Sequence, residues 1–189
     1  MANNQLLQGV NLYLIGLMGV GKTTVGNSLT KELGYTFIDT DEVIAKAVGR
    51  SVSEIFAQEG EVAFRQLETE VLQQICAHTK LCIATGGGIV LRKENWSYLR
   101  HGAIVWLDAP LELLCARLTE DTTRPILQNV DLPTKLKSLL EERQALYAQA
   151  DLHIKIQEGE TPEQIAQRVL GAIPSILKKP VNPPDYNAN

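Results

Sequence analysis

Residues 16–24 read GLMGVGKTT, between the apolar run VNLYLIG (10–16) and a stretch in which Val25, Leu29 and Leu33 recur every fourth position. Gly16, Gly21, Lys22 and Thr23 complete the pattern G-x-x-x-x-G-K-[ST], placed where a predicted strand gives way to a predicted helix. Few folds tolerate that arrangement. Glycines let successive backbone N–H groups turn inward around phosphate oxygens, and the start of the helix adds the positive end of its dipole. Lys22 is expected to reach the β- and γ-phosphates of a nucleotide, and the Thr23 hydroxyl to ligate Mg²⁺. Gly19, Val20, Gly21, Lys22, Thr23 and Thr24 are therefore the expected phosphate site. The competing reading is a glycine turn with a solvated lysine.

Beyond the loop, TFID (36–39), LCIAT (81–85), AIVWLD (103–108) and LHIKI (152–156) also read as strands, separated by amphipathic helical stretches. Gly34 is placed to stop the first helix, and SVSE (51–54) has the form of a capping box opening a short one. Phe64, Leu67, Val71 and Ile75 mark the face of a longer helix, and another is predicted over 133–149. Alternation of this kind predicts an α/β fold with a mainly parallel sheet and helices on both faces. Ligands of such sheets bind outside the carboxyl ends of the strands. The expected organisation is one domain over 1–178, with 179–189, rich in proline and asparagine, as a disordered tail.

Composition narrows the function classes. A net charge of -4 and the lack of any Lys/Arg run argue against nucleic acid or an anionic membrane as the partner. The longest apolar stretch is too short to span a bilayer, and the N-terminus lacks the pattern of a signal peptide. Cys76, Cys82 and Cys115 form no CxxC pair and are read as reduced thiols, which points to the cytoplasm. His78, His101 and His153 have no metal-ligand spacing.

Several residues beyond the loop carry candidate chemistry. Asp39 and Asp41 end the second strand, where one carboxylate can sit near a metal and the other can reach an acceptor hydroxyl; a helix cap plus a solvated acid explains them equally well. Gly86, Gly87 and Gly88 follow the third strand and suit either close approach of a ligand or a flexible turn. Arg65 pairs in sequence with Glu68, and a surface ion pair would account for both. Arg143 falls within an apolar helical stripe, so it needs an anion or a cleft to face. Arg124 lies in TEDTTRPILQNVD, a polar stretch of lid-like composition, where it is either a phosphoryl-stabilising group or a solvated loop arginine.

A GTPase would carry Asn-Lys-x-Asp, which is missing, and adenylate-kinase-like loops read GxPGxGKGT where this chain has Met18 and Thr23. The ordered set GLMGVGKTT, DTD (39–41), FRQLE (64–68), TGGG (85–88), RPIL (124–127) and ERQALY (142–147) resembles the shikimate kinases over roughly residues 10 to 175. Ile126 stands where the lid motif more often has leucine.

The resemblance implies a five-stranded parallel sheet of the nucleoside monophosphate kinase type, a P-loop fold with a mobile lid at about 119–131. It implies ATP-dependent phosphorylation of the 3-hydroxyl of shikimate, on the route to chorismate and the aromatic amino acids. Carried over, Lys22 contacts phosphates and Thr23 with Asp39 holds Mg²⁺. Asp41 binds the substrate hydroxyls and is the candidate base. Arg65, Arg143 and the backbone of Gly86, Gly87 and Gly88 grip the substrate carboxylate, and Glu68 orients Arg65. Arg124 closes over the reaction. Arg117 and Pro162 are the positions that map to adenine contacts, and the family leans monomeric. A kinase for another small acid such as gluconate would need a different explanation for Asp41, Arg65 and Arg143. A kinase-like binding module without catalysis would be expected to lack Lys22, Asp41 or one of the arginines.

Overall fold

A computed structural model of the chain describes residues 6–119 and 131–177. Arg124, nearly all of the expected lid and the expected tail lie outside the described residues. Five parallel strands form one sheet: β1 (Leu12–Ile15), β2 (Thr36–Asp39), β3 (Leu81–Ala84), β4 (Ala103–Asp108) and β5 (Leu152–Lys155), in the order β2-β3-β1-β4-β5. The helices are α1 (Lys22–Leu33), α2 (Thr40–Val48), α3 (Val52–Ile75), α4 (Lys93–Leu99), α5 (Leu111–Leu118), α6 (Leu132–Tyr147) and α7 (Pro162–Ala172).

β1 and β3 are buried at every position and β4 at all but its last, as strands covered by helices on both faces must be. The edge strand β5 alternates buried and exposed residues instead. The core runs through Leu12, Leu14, Ile83, Val105 and Leu107 of the sheet and Leu29, Leu72 and Leu136 of the helices. Among the described residues no helix is long and apolar enough to cross a membrane. The three cysteines are free, and burial pushes the Cys82 thiol up to about 12.

The predicted strands are found, with β1 shorter than the apolar run. Val10 is exposed, and Asn11 turns its side chain to the neighbouring segment, donating to the His78 carbonyl (2.8 Å) and accepting from the Leu81 N–H (3.0 Å). The two predicted helices of the 51–75 region are continuous in α3 except at Gly60, whose φ of 80° breaks the helical path. The Ser51–Glu54 capping box is formed as read.

Register decides where function can gather. Leu14 pairs with Ala84, and Asp39 pairs with the same Ala84, while Ile15 pairs with Trp106. Parallel pairing therefore brings the segments leaving β1, β2 and β3 to one edge, side by side. Strand order also changes direction there, since β3 lies between β1 and β2. This is the crevice in which open α/β sheets bind ligands.

Candidate active site

Two cavities meet at that edge. The first, of about 400 Å³, is lined by Gly19 to Thr24 of the phosphate loop, with Asp39, Arg117, Glu160 and Pro162. The second, of about 340 Å³, is lined by Met18, Val52, Phe56, Phe64, Arg65, Glu68, the 86–88 triplet and Arg143. Asp41 and Gly87 line both. The sequence-predicted residues are thus sorted into two adjoining compartments, with Asp41 at the boundary.

In the first compartment Gly21 caps α1 and delivers Lys22, Thr23 and Thr24 to its first turn. The Lys22 ammonium donates to the carbonyls of Gly16 (2.9 Å) and Leu17 (2.8 Å). Thr23 Oγ1 donates to Asp39 Oδ2 at 2.9 Å, while Asp39 Oδ1 accepts from the Asp41 N–H at 3.0 Å. Asp39 therefore caps α2 with one oxygen, as the capping reading expects, and accepts from the loop hydroxyl with the other. Arg117, near the end of α5, donates to the Val20 carbonyl at 3.1 Å and so lies over the loop. Pro162 is the first residue of α7, held by a Thr161–Gln164 capping box.

The second compartment overturns the surface reading of Arg65 and Glu68. Glu68 is fully buried and accepts from Arg65 Nη1 at 2.5 Å, and the Arg65 side chain is only 11% exposed. Glu61 takes the other edge of the guanidinium at 2.8 Å. The rings of Phe56 and Phe64 lie 5.9 and 5.5 Å from the same group, within cation–π reach. Burial raises the Glu68 pKa to about 7, against the lowering effect of Arg65. Burial acts to lower the Arg65 pKa too, but Glu68 and Glu61 together outweigh it and the net shift is upward. Arg143, on α6, is 2% exposed and turns into the same cavity. Two buried guanidiniums therefore face one pocket, Arg65 paired with Glu68 and Glu61 and Arg143 with Glu142, and the Asp41 carboxylate lines the same cavity.

The glycine triplet makes this packing possible. A Cβ on Gly86 would collide with the Glu68 carboxylate, and one on Gly88 with the Arg65 guanidinium. Close approach, not flexibility, is the reason for these glycines. The Gly86 N–H donates to Thr40 Oγ1 at 3.0 Å, so Gly86 serves the pocket through its missing side chain more than through its amide. Thr40, Phe56, Val52 and Met18 were not expected as site residues. Their sequence signals are those of a helix start and an apolar core; only the folded chain brings Phe56, Val52 and Met18 to the cavity, with Thr40 buried behind it against Gly86.

The shikimate kinase family profile matches residues 18–174. The chain is 67% identical to a shikimate kinase of Nostoc punctiforme over 175 residues, covering 93% of this chain and 97% of that one. Among solved structures it is similar to the shikimate kinase from Acinetobacter baumannii in complex with shikimate. That likeness has a TM-score of 0.86 and 39% identity, covering 90% of this chain and 96% of the other. A gluconokinase from Sinorhizobium meliloti shares the fold, with a TM-score of 0.54 and 15% identity over 89% of this chain and 93% of that one. Together with a pocket carrying Arg65, Arg143 and Asp41 beside a phosphate loop, these matches place the chain in the shikimate kinase family.

Proposed function

We propose that the chain transfers the terminal phosphoryl group of ATP to the 3-hydroxyl of shikimate, giving shikimate 3-phosphate and ADP. The observation that carries this reading is Asp41, the one carboxylate common to the linings of both cavities. A group at that boundary can touch an acceptor hydroxyl while the phosphate loop holds the donor.

The first cavity is the ATP compartment in this reading. Backbone N–H groups of Gly19 to Thr24 and the Lys22 ammonium take the phosphates, and Arg117 and Pro162 flank the adenine end. The donor set of Thr23 and Asp39 fits Mg²⁺: both offer hard oxygens, 2.9 Å apart. Among the described residues no cluster of three or more His, Cys, Asp or Glu could form a protein-only metal cage. When bound, the ion supplies charge neutralisation on the phosphate oxygens.

Phosphoryl transfer demands positioning and electrostatic stabilisation more than covalent help. Arg65 and Arg143 grip the substrate carboxylate, which fixes the ring and restricts the pocket to acidic polyols. Glu68 and Glu61 orient Arg65 from two sides, and Phe56 and Phe64 wall the guanidinium from water. Asp41 then aligns the hydroxyl and accepts its proton late in transfer, so it need not be a strong base beforehand. Lys22 spreads the developing charge from the donor side, and the role proposed for Arg124 is to stabilise charge on the transferring phosphoryl group. The whole of 1–178 acts as one kinase domain in this reading, a cytoplasmic monomer that neither nucleic acid nor membrane engages.

The product identifies the reaction. Incubation with MgATP and shikimate, followed by phosphorus NMR and mass spectrometry, should give one monophosphate ester at the 3-oxygen. An ester at another position, or release of inorganic phosphate alone, contradicts the assignment.

A further inference from the structure

Tyr147 ends α6, one turn beyond Arg143, and has no part in the chemistry above. Its side chain is fully buried, with its ring 5.8 Å from that of Trp106. Packing alone would be served by phenylalanine, so the hydroxyl asks for an explanation. It donates to the Gly87 carbonyl at 2.5 Å, and Arg143 stands one turn earlier on the same helix. Burial pushes the phenol up to about 12, against the lowering effect of Arg143, so it stays a neutral donor.

Gly87 is the residue that makes this bond informative. It lines both cavities. A Cβ built on it would stand 3.5 Å from the Gly16 carbonyl oxygen, 3.5 Å from the Met18 nitrogen and 3.8 Å from the Tyr147 hydroxyl. Gly87 is therefore wedged between the first turn of the phosphate loop and the end of α6. The hydroxyl thus ties α6, the helix that carries Arg143 into the acceptor pocket, to the peptide that abuts the donor loop.

We propose that Tyr147 is a positioning residue whose hydroxyl anchors the end of α6, and with it Arg143, to the Gly87 peptide, and so sets the register between acceptor pocket and phosphate loop. Small misplacements of reacting groups have large effects on transfer rates, so a fixed strut between the two compartments has a catalytic consequence. Tyr147 touches neither substrate in this scheme and acts through Arg143 and Gly87. The inference rests on assigning the two cavities to ATP and shikimate.

The test uses the full chain and steady-state kinetics on Tyr147→Phe and Trp106→Phe, with thermal melts of each. Tyr147→Phe should raise the shikimate KM by about 3- to 10-fold and lower kcat, with the ATP KM changed by less than about 2-fold, as expected for loss of one buried hydrogen-bonding group. Trp106→Phe disturbs the packing of the same ring but keeps the hydroxyl, and should lower the melting temperature while leaving the shikimate KM within about 2-fold of wild type. Unaltered kinetic constants in a folded Tyr147→Phe would overturn the inference while leaving the assigned reaction intact. An equal rise in shikimate KM for both variants would assign the effect to packing and overturn it as well. So would a Phe variant that cannot fold, because the hydroxyl would then serve the fold. A wild-type chain that does not turn over shikimate would instead remove the assigned reaction and this inference with it.

Discussion

Glu68 holds Arg65 from the inside of the protein: its carboxylate accepts from Arg65 Nη1 at 2.5 Å and is itself without exposed surface. A buried carboxylate is disfavoured as an anion unless it is paired, and here pairing does not fully offset burial. The Glu68 pKa accordingly rises from 4.5 to about 7. Between those values the folded chain holds a proton that the unfolded chain releases. The contribution of Glu68 to stability is therefore fully present below about pH 4.5 and is lost as pH rises through about 7. Glu68→Gln mimics the protonated form, so urea unfolding should find the variant close to wild type at low pH. Its relative stability should then improve as pH rises from about 4.5 to about 7 and level off above that. A relative stability that falls over that range would contradict the burial argument.

Arg143→Ala tests the acceptor pocket from the opposite wall. Charge-assisted hydrogen bonds contribute about 1.5–3 kcal/mol, so shikimate affinity should fall by roughly 10- to 150-fold. ATP affinity measured without shikimate should stay nearly unchanged, because Arg143 does not line the cavity proposed for ATP. Calorimetric titration reads both numbers. Unchanged shikimate affinity would remove Arg143 from the carboxylate site.

Asp41→Asn separates positioning from proton acceptance. The amide preserves shape and can still contact a hydroxyl, but it cannot take up the proton. Most turnover should be lost, with the melting temperature close to wild type and shikimate still bound. Near-normal kcat would show that Asp41 is neither base nor essential orienter.

Gly26→Ala probes the scaffold that aligns the phosphate loop with the acidic pair. A Cβ there would stand 2.5 Å from Phe37 Cε2 and 3.3 Å from Leu14 Cδ1, so α1 or the Phe37 ring must give way. Overpacking of this kind costs about 1–3 kcal/mol, more than the roughly 1 kcal/mol that alanine gains over glycine in a helix. Thermal unfolding should show net destabilisation. A stabilised variant would mean that α1 and β2 are not in the contact described.

What could be read from sequence follows from how far each signal reaches along the chain. The phosphate loop, the Ser51 capping box and the five strands are short-range patterns, and each is found where its residues predict it. Asp41 and Arg143 are legible as candidates from a strand end and an apolar helical stripe, and the resemblance gathers them with Arg65. Their assembly in one cavity depends on the pairing of β1, β2 and β3 and on α6 docking against the triplet. The burial of Glu68 could not be read from an i,i+3 spacing, since the same spacing serves a surface pair. The Thr40–Gly86 and Tyr147–Gly87 bonds join residues far apart in sequence, and nothing local marks them.

The central claim is that the pocket selects one acidic polyol as phosphoryl acceptor. A coupled ADP-release assay with MgATP, run in parallel on shikimate, quinate and gluconate, tests it most directly. The account predicts rapid turnover of shikimate, with kcat/KM falling for quinate and negligible for gluconate. Preferential turnover of gluconate, or ADP release that is indifferent to the acceptor supplied, would contradict it.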